Sequence, residues 1–80
     1  MTGIRFLTRQ GCPLCDEALA EVRPIAAEAG VPIDIIDIDL DLALLEIYNE
    51  RVPVIEWPDG SVIAEGIIAP QAVESALQNR

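Results

Sequence analysis

The feature that most constrains this chain is a pair of cysteines, Cys12 and Cys15, the only two among 80 residues, set between a short apolar run and a long amphipathic one. Ile4-Arg5-Phe6-Leu7-Thr8 reads as a buried strand, Arg9-Gln10-Gly11 as a loop, and Pro13 as the first residue of a helix. Proline suits that position because the first backbone donors of a helix have no intrahelical acceptor. The spacing therefore predicts Cys12 as the N-cap. A thiolate there faces unpaired N–H groups and the positive end of the helix dipole, which together favour the ionised sulfur. Cys15 lies one turn further in, beside Leu14 and Ala18, so Cys12 is expected to attack a disulfide and Cys15 to resolve the mixed disulfide that results. Arg9 adds a positive charge near Cys12, while Asp16 and Glu17 in the same first turn oppose it.

Other uses of the pair stay open on the residues alone. Free cysteines often serve as small buried hydrophobes. A zinc site needs four ligands, and a chain with 2 cysteines and no histidine offers too few good ones. A structural disulfide closing so short a loop would restrain little of the unfolded chain. The strand-loop-helix placement favours redox use.

With one Trp, one Tyr and one Phe, the core must be aliphatic, and an apolar fraction of 51% suffices for a single domain over residues 1–80. The net charge is −9, from 14 acids against 5 arginines. Such a surface repels a phosphate backbone and an anionic membrane alike, so neither nucleic acid nor membrane is an expected partner. The acids are spread from Asp16 to Glu74, as on a solvated surface. A basic protein partner is the sharper alternative. No run approaches the ~18 apolar residues of a membrane span, and the first residues lack the basic and apolar regions of a signal peptide. A cytoplasmic location is therefore expected, where thiols are kept reduced and a working dithiol is favoured over a lasting bridge.

Along the chain, Leu14, Ala18, Leu19, Val22, Ile25 and Ala26 fall at helical spacing, and Gly30 supplies a stop. Pro24 inside that run predicts a kink, or a separate helical piece from Pro24 to Ala29. The β-branched run from Ile33 to Ile38 predicts a second strand, parallel to the first through a right-handed crossover. Asp39 or Asp41 would cap the next helix, through Leu42, Leu44, Leu45, Ile47 and Tyr48. Arg51 to Trp57 and Ser61 to Ala64, separated by Pro58-Asp59-Gly60, predict an antiparallel hairpin ended by Gly66. Pro70 opens a last helix with Val73, Ala76 and Leu77 on one face and Gln78-Asn79-Arg80 as its polar end. The order is β-α-β-α-β-β-α, an α/β three-layer sandwich with helices on both faces of a four-stranded mixed sheet.

That order, with Cys12-Pro13-Leu14-Cys15 at a helix start, Val52-Pro53 before the hairpin and Gly66 after it, resembles the glutaredoxin-like proteins of the thioredoxin-fold superfamily across essentially the whole chain. Cys-x-Leu-Cys-Asp-Glu-Ala, here Cys12 to Ala18, is similar to the short stand-alone members. The resemblance implies that Pro53 is cis and faces the dithiol, with Val52 offering its backbone to an extended thiol substrate. It implies a glutathione carboxylate at Arg9, which stands where glutaredoxins commonly have lysine, and close approach of glutathione at Gly66. Leu14 replaces the usual tyrosine, Arg51 a threonine, Glu65 a glycine, and Ile67-Ile68 the polar and acidic residues around glutathione's amino group. Glutathione specificity therefore does not follow from the resemblance.

The expected activity is thiol–disulfide oxidoreduction through Cys12 and Cys15, with Arg9, Leu14, Val52, Pro53 and Gly66 facing the substrate. The substrate would be a protein or glutathione disulfide, with no bound cofactor or metal, glutathione as a possible co-substrate, and the protein a monomer. The alternative is a binding or redox-sensing module with little turnover. An iron–sulfur cluster shared between two chains through Cys12 is a weaker expectation, opposed by Pro13 and the second cysteine.

Overall fold

The computed structural model describes residues 3–78. Strand β1 (Ile4–Thr8) leads through a turn into helix α1 (Pro13–Ala29), which returns the chain to β2 (Ile33–Asp37). A 3-10 turn (Ile38–Leu40), helix α2 (Leu42–Tyr48), the hairpin of β3 (Val54–Glu56) and β4 (Val62–Glu65), and helix α3 (Pro70–Gln78) complete it. The four-stranded sheet has the order β2-β1-β3-β4, with β1 and β2 parallel and the β1/β3 and β3/β4 pairs antiparallel. The expected α/β architecture and mixed sheet are therefore present.

Local chemistry sets each boundary. Gly30 adopts a left-handed backbone with φ of 69°, and Gly30 and Val31 donate to the carbonyls of Ala27 and Ala26, closing the end of α1. Pro24 neither ends α1 nor splits it, which corrects the expected separate piece from Pro24 to Ala29. Pro24 faces solvent, while Ala18, Val22 and Ala26 on either side of it bury one continuous stripe against the sheet. That packing outweighs the single backbone bond that a proline removes. The second strand stops one residue before the expected Ile38, because the Asp37 carboxylate accepts the Asp39 N–H at 2.9 Å and turns the chain into the 3-10 segment. Of the two aspartates expected to cap α2, Asp41 does so, accepting from Leu44 N–H at 3.2 Å. Leu42 and Ile47 lie outside the core at 79% and 56% exposure; Leu44, Leu45 and Tyr48 pack inward instead. The strands of the hairpin are shorter than the apolar runs that announced them, and the register shifts between Ile55 and Glu56. Of the polar end expected for the last helix, Asn79 and Arg80 lie outside the described residues.

The alternation of β1 and β3 divides the interior between the two faces of the sheet. Ile4, Phe6 and Ile55 point to the face covered by α1 and α3, where Ala18, Val22, Ala26, Val73 and Leu77 complete an aliphatic cluster. Leu7 and Val54 point to the other face, with Ile38 and Tyr48. On that second face the fold also buries charge. Glu56, 2% exposed, accepts from the Tyr48 hydroxyl at 2.9 Å, and its other oxygen lies 3.2 Å from Arg5 Nε, its direct cross-strand partner. The Arg5 contact is an ion pair whose N–H points away from hydrogen-bond alignment, leaving that nitrogen buried without a hydrogen bond.

Topology fixes where a site can form. With β1, β2 and β4 all running one way and β3 the other, the end of the sheet where β1 finishes also holds the start of β3 and the finish of β4. Helices α1 and α3 both start there, and the two pack against each other on one face.

Candidate functional site

Cys12 and Cys15 stand at this end of the sheet, joined by a disulfide with their Cα atoms 5.2 Å apart. Cys12 is the N-cap of α1 and Pro13 its first residue, as the spacing predicts. The Cys15 N–H donates to Cys12 Sγ at 3.1 Å, so the capping sulfur takes one of the backbone donors that the helix leaves unpaired. Cys12 is half-buried and Cys15 only 1% exposed. Cys12 is therefore the more accessible residue of the pair. Leu14 between them projects outward at 40% exposure.

The register brings the other sequence-chosen residues to the same end. Leu7 pairs with Val54, which places Val52 and Pro53, just before β3, level with the turn after β1 that carries Cys12. The Val52–Pro53 peptide is cis, Pro53 is fully buried, and Val52 is half-buried. Val54 pairs in turn with Glu65, so Gly66 follows beside Pro53 and donates its N–H to the Pro53 carbonyl at 2.8 Å. Gly66 has φ of 70°, a backbone that favours glycine. Ile67 then stands 88% exposed before α3 begins.

Arg9 is engaged within the fold. Its Nε and Nη2 donate to Asp39 at 3.3 and 2.7 Å, and its Nη1 donates to the Asn49 carbonyl and side-chain oxygens at 2.9 and 3.2 Å. The guanidinium thus ties the turn after β1 to the 3-10 segment and to the end of α2. Arg51 is engaged likewise, with paired bonds to Glu65 at 2.8 and 2.7 Å and its guanidinium carbon 4.9 Å from the centre of the Tyr48 ring. The bond to Glu65 raises the Arg51 pKa above its ordinary value, and the bond from Arg51 lowers that of Glu65.

Asp39, Asn49 and the Arg51–Glu65 pair are site neighbours that the sequence reading assigned no such partners. Arg9 and Asn49 are 40 residues apart, and only the β-α-β crossover brings them together. The signal available in the sequence was weaker: Arg51 and Glu65 flank the hairpin at nearly symmetric positions, a spacing compatible with a cross-strand pair.

Comparisons with known proteins bear on the family and the fold. Residues 3–80 match the description of the Glutaredoxin-like domain (DUF836). The solution NMR structure of protein Ne2328 from Nitrosomonas europaea is similar with a TM-score of 0.78 and 24% identity, over 94% of this chain and 89% of that one. The X-ray structure of protein XcR50 from X. campestris is similar with a TM-score of 0.75 and 26% identity, over 98% of this chain and 99% of that one. A malarial protein shares the fold at a TM-score of 0.69 and 14% identity, over 98% and 93% of the two chains. No curated protein matches the chain. Among the described residues no helix is long and apolar enough to cross a membrane.

Proposed function

The chain belongs to the Glutaredoxin-like domain (DUF836) family and has a thioredoxin-like fold, and from that premise we propose that it is a thiol–disulfide oxidoreductase, reducing disulfides or glutathione mixed disulfides through Cys12 and Cys15. The observation that carries this reading is the disulfide between the half-buried N-cap residue Cys12 and the buried Cys15 one turn behind it. In the reduced protein the Cys15 N–H and the helix dipole act on a Cys12 thiolate, favouring the nucleophilic form. Cys12 attacks one sulfur of the substrate disulfide, and the other leaves as a thiol. Cys15 then attacks Cys12, the second substrate thiol departs, and the Cys12–Cys15 bond is restored. Two electrons pass to the substrate, and a thiol donor returns the pair to the reduced state.

Leu14, Val52, Pro53 and Gly66 line the approach to Cys12 in this reading, and Arg9 holds the turn that carries it. The protein works as a cytoplasmic monomer on a thiol or disulfide substrate, and its acidic surface favours a basic protein partner. The test is release of substrate thiol from a glutathione mixed disulfide and from a protein disulfide. Cys12→Ser is expected to abolish both reactions, and Cys15→Ser to accumulate a mixed disulfide on Cys12 visible by mass. Equal rates for the parent and Cys12→Ser would overturn the reading. No turnover with either substrate would leave the protein a binding module instead.

A further inference from the structure

At the dithiol's end of the sheet two large apolar side chains stand exposed and the arginines are already paired. Leu14 is 40% exposed beside the cysteines and Ile67 is 88% exposed directly after Gly66. Arg9 directs its donors to Asp39 and Asn49, and Arg51 directs its own to Glu65. Asp16, exposed in the first turn of α1, and Glu17, exposed directly after it, add negative charge next to Cys15.

Resting on the oxidoreductase reading above, we propose that the substrate of the Cys12/Cys15 pair is a protein disulfide flanked by apolar residues, which dock on Leu14 and Ile67, rather than glutathione. Glutathione is a polar, net-anionic tripeptide, and its carboxylates ask for cationic donors. Here the two arginines of this end hold carboxylates of the chain itself, and a net charge of −9 opposes an anion on approach. Admitting a glutathione carboxylate would break a bidentate pair in order to form one. An apolar segment meets no such exchange: it removes water from Ile67 and Leu14 and from itself. The span fits an extended chain. β1, which leads to Cys12, and β4, which leads to Ile67, are separated by β3, so the ends of those two strands lie two strand spacings apart, about 10 Å. A polypeptide covers that distance in about three residues. Atoms and electrons balance as in the dithiol exchange above: the protein disulfide accepts two electrons and two protons, Cys12 and Cys15 become a disulfide, and a donor dithiol reduces them again.

The experiment uses the full chain, reduced and freed of reductant, with three probes: a peptide disulfide with leucine and isoleucine around the cysteine, one of equal length with aspartates there, and glutathione disulfide. The apolar peptide is expected to react about ten-fold faster than either of the others, in line with burial of one large aliphatic side chain. Ile67→Glu, at a position too exposed to disturb packing, should cut the rate with the apolar peptide about ten-fold and leave the peptide-independent reduction potential in place. Glutathione disulfide reacting as fast as the apolar peptide, or an Ile67→Glu protein that keeps the ten-fold preference, would overturn the proposal while leaving the oxidoreductase reading standing. No reaction with any probe would overturn both.

Discussion

Tyr48 donates its hydroxyl to Glu56 at 2.9 Å, so the last residue of α2 is bonded to a carboxylate at the centre of the sheet that is only 2% exposed. A buried carboxylate that loses a donor keeps its desolvation cost without compensation. Arg5 remains beside the other oxygen at 3.2 Å, but not aligned as a hydrogen bond. Tyr48→Phe should therefore lower stability by about 1–3 kcal/mol, read as a fall in the urea midpoint at unchanged slope. A variant as stable as the parent would mean that Glu56 draws little from this bond.

The same pair sets a dependence on alkaline pH. The Tyr48 pKa is raised above its ordinary value of 10.0, first by burial and next by the hydrogen bond to Glu56 and its charge, with Arg51 pulling the other way. A phenol whose folded pKa lies above its unfolded one contributes stability that is whole below about pH 10 and is lost as the pH rises through the folded value. The chain has one tyrosine and no lysine, and the disulfide removes both thiols from titration, so few other groups compete in that window. Urea unfolding of the oxidised protein at about pH 8 and about pH 11 should show a loss of stability that Tyr48→Phe largely abolishes. An equal loss in the variant would assign it elsewhere.

Pro24 sits inside α1 on the solvent side, so replacing it touches little packing and restores the backbone bond to the Ala20 carbonyl. The gain is reduced by the greater freedom that alanine gives the unfolded chain. Pro24→Ala is expected to raise stability by roughly 2 kcal/mol. A neutral or destabilising result on thermal and urea unfolding would show that α1 is shaped around its proline.

How far the sequence reached depended on whether a feature is written locally. The strand at Ile4–Thr8, the N-cap at Cys12, the stop at Gly30 and the cap at Asp41 are each specified by adjacent residues, and the structure has them in those places. The separate helical piece from Pro24 to Ala29, one of the two outcomes the sequence offered, did not form because a local rule, the missing N–H, competes with a stripe of Ala18, Val22 and Ala26 whose burial depends on a sheet assembled elsewhere in the chain. Leu42 and Ile47 look like core residues by composition, yet α2 is seven residues long and too short to turn all of its leucines and its isoleucine inward. At the site, the order of the cysteines and the placement of Pro53 and Gly66 could be read from motifs. The partners of Arg9 and Arg51 could not, since each lies far along the chain and is brought near only by strand register.

Arg9 offers the last test, because its four hydrogen bonds to Asp39 and Asn49 make it a clamp across the base of the turn that carries Cys12. The Arg9 and Asp39 side chains are 33% and 41% exposed, so the pair is solvated and its worth is limited by screening and by the entropy of holding two flexible groups. Bidentate geometry and the added bonds to Asn49 place it toward the upper end of the surface range. A double-mutant cycle with Arg9→Gln and Asp39→Asn should return a coupling of about 0.5–1 kcal/mol in low salt, shrinking at high ionic strength. The bond from Nη1 to the Asn49 carbonyl is outside that cycle, so Arg9→Gln alone should cost more than Asp39→Asn alone. Equal single costs with no coupling would dissolve the clamp and free Arg9 as a cation for substrate, which is the condition under which glutathione would regain its claim on the site.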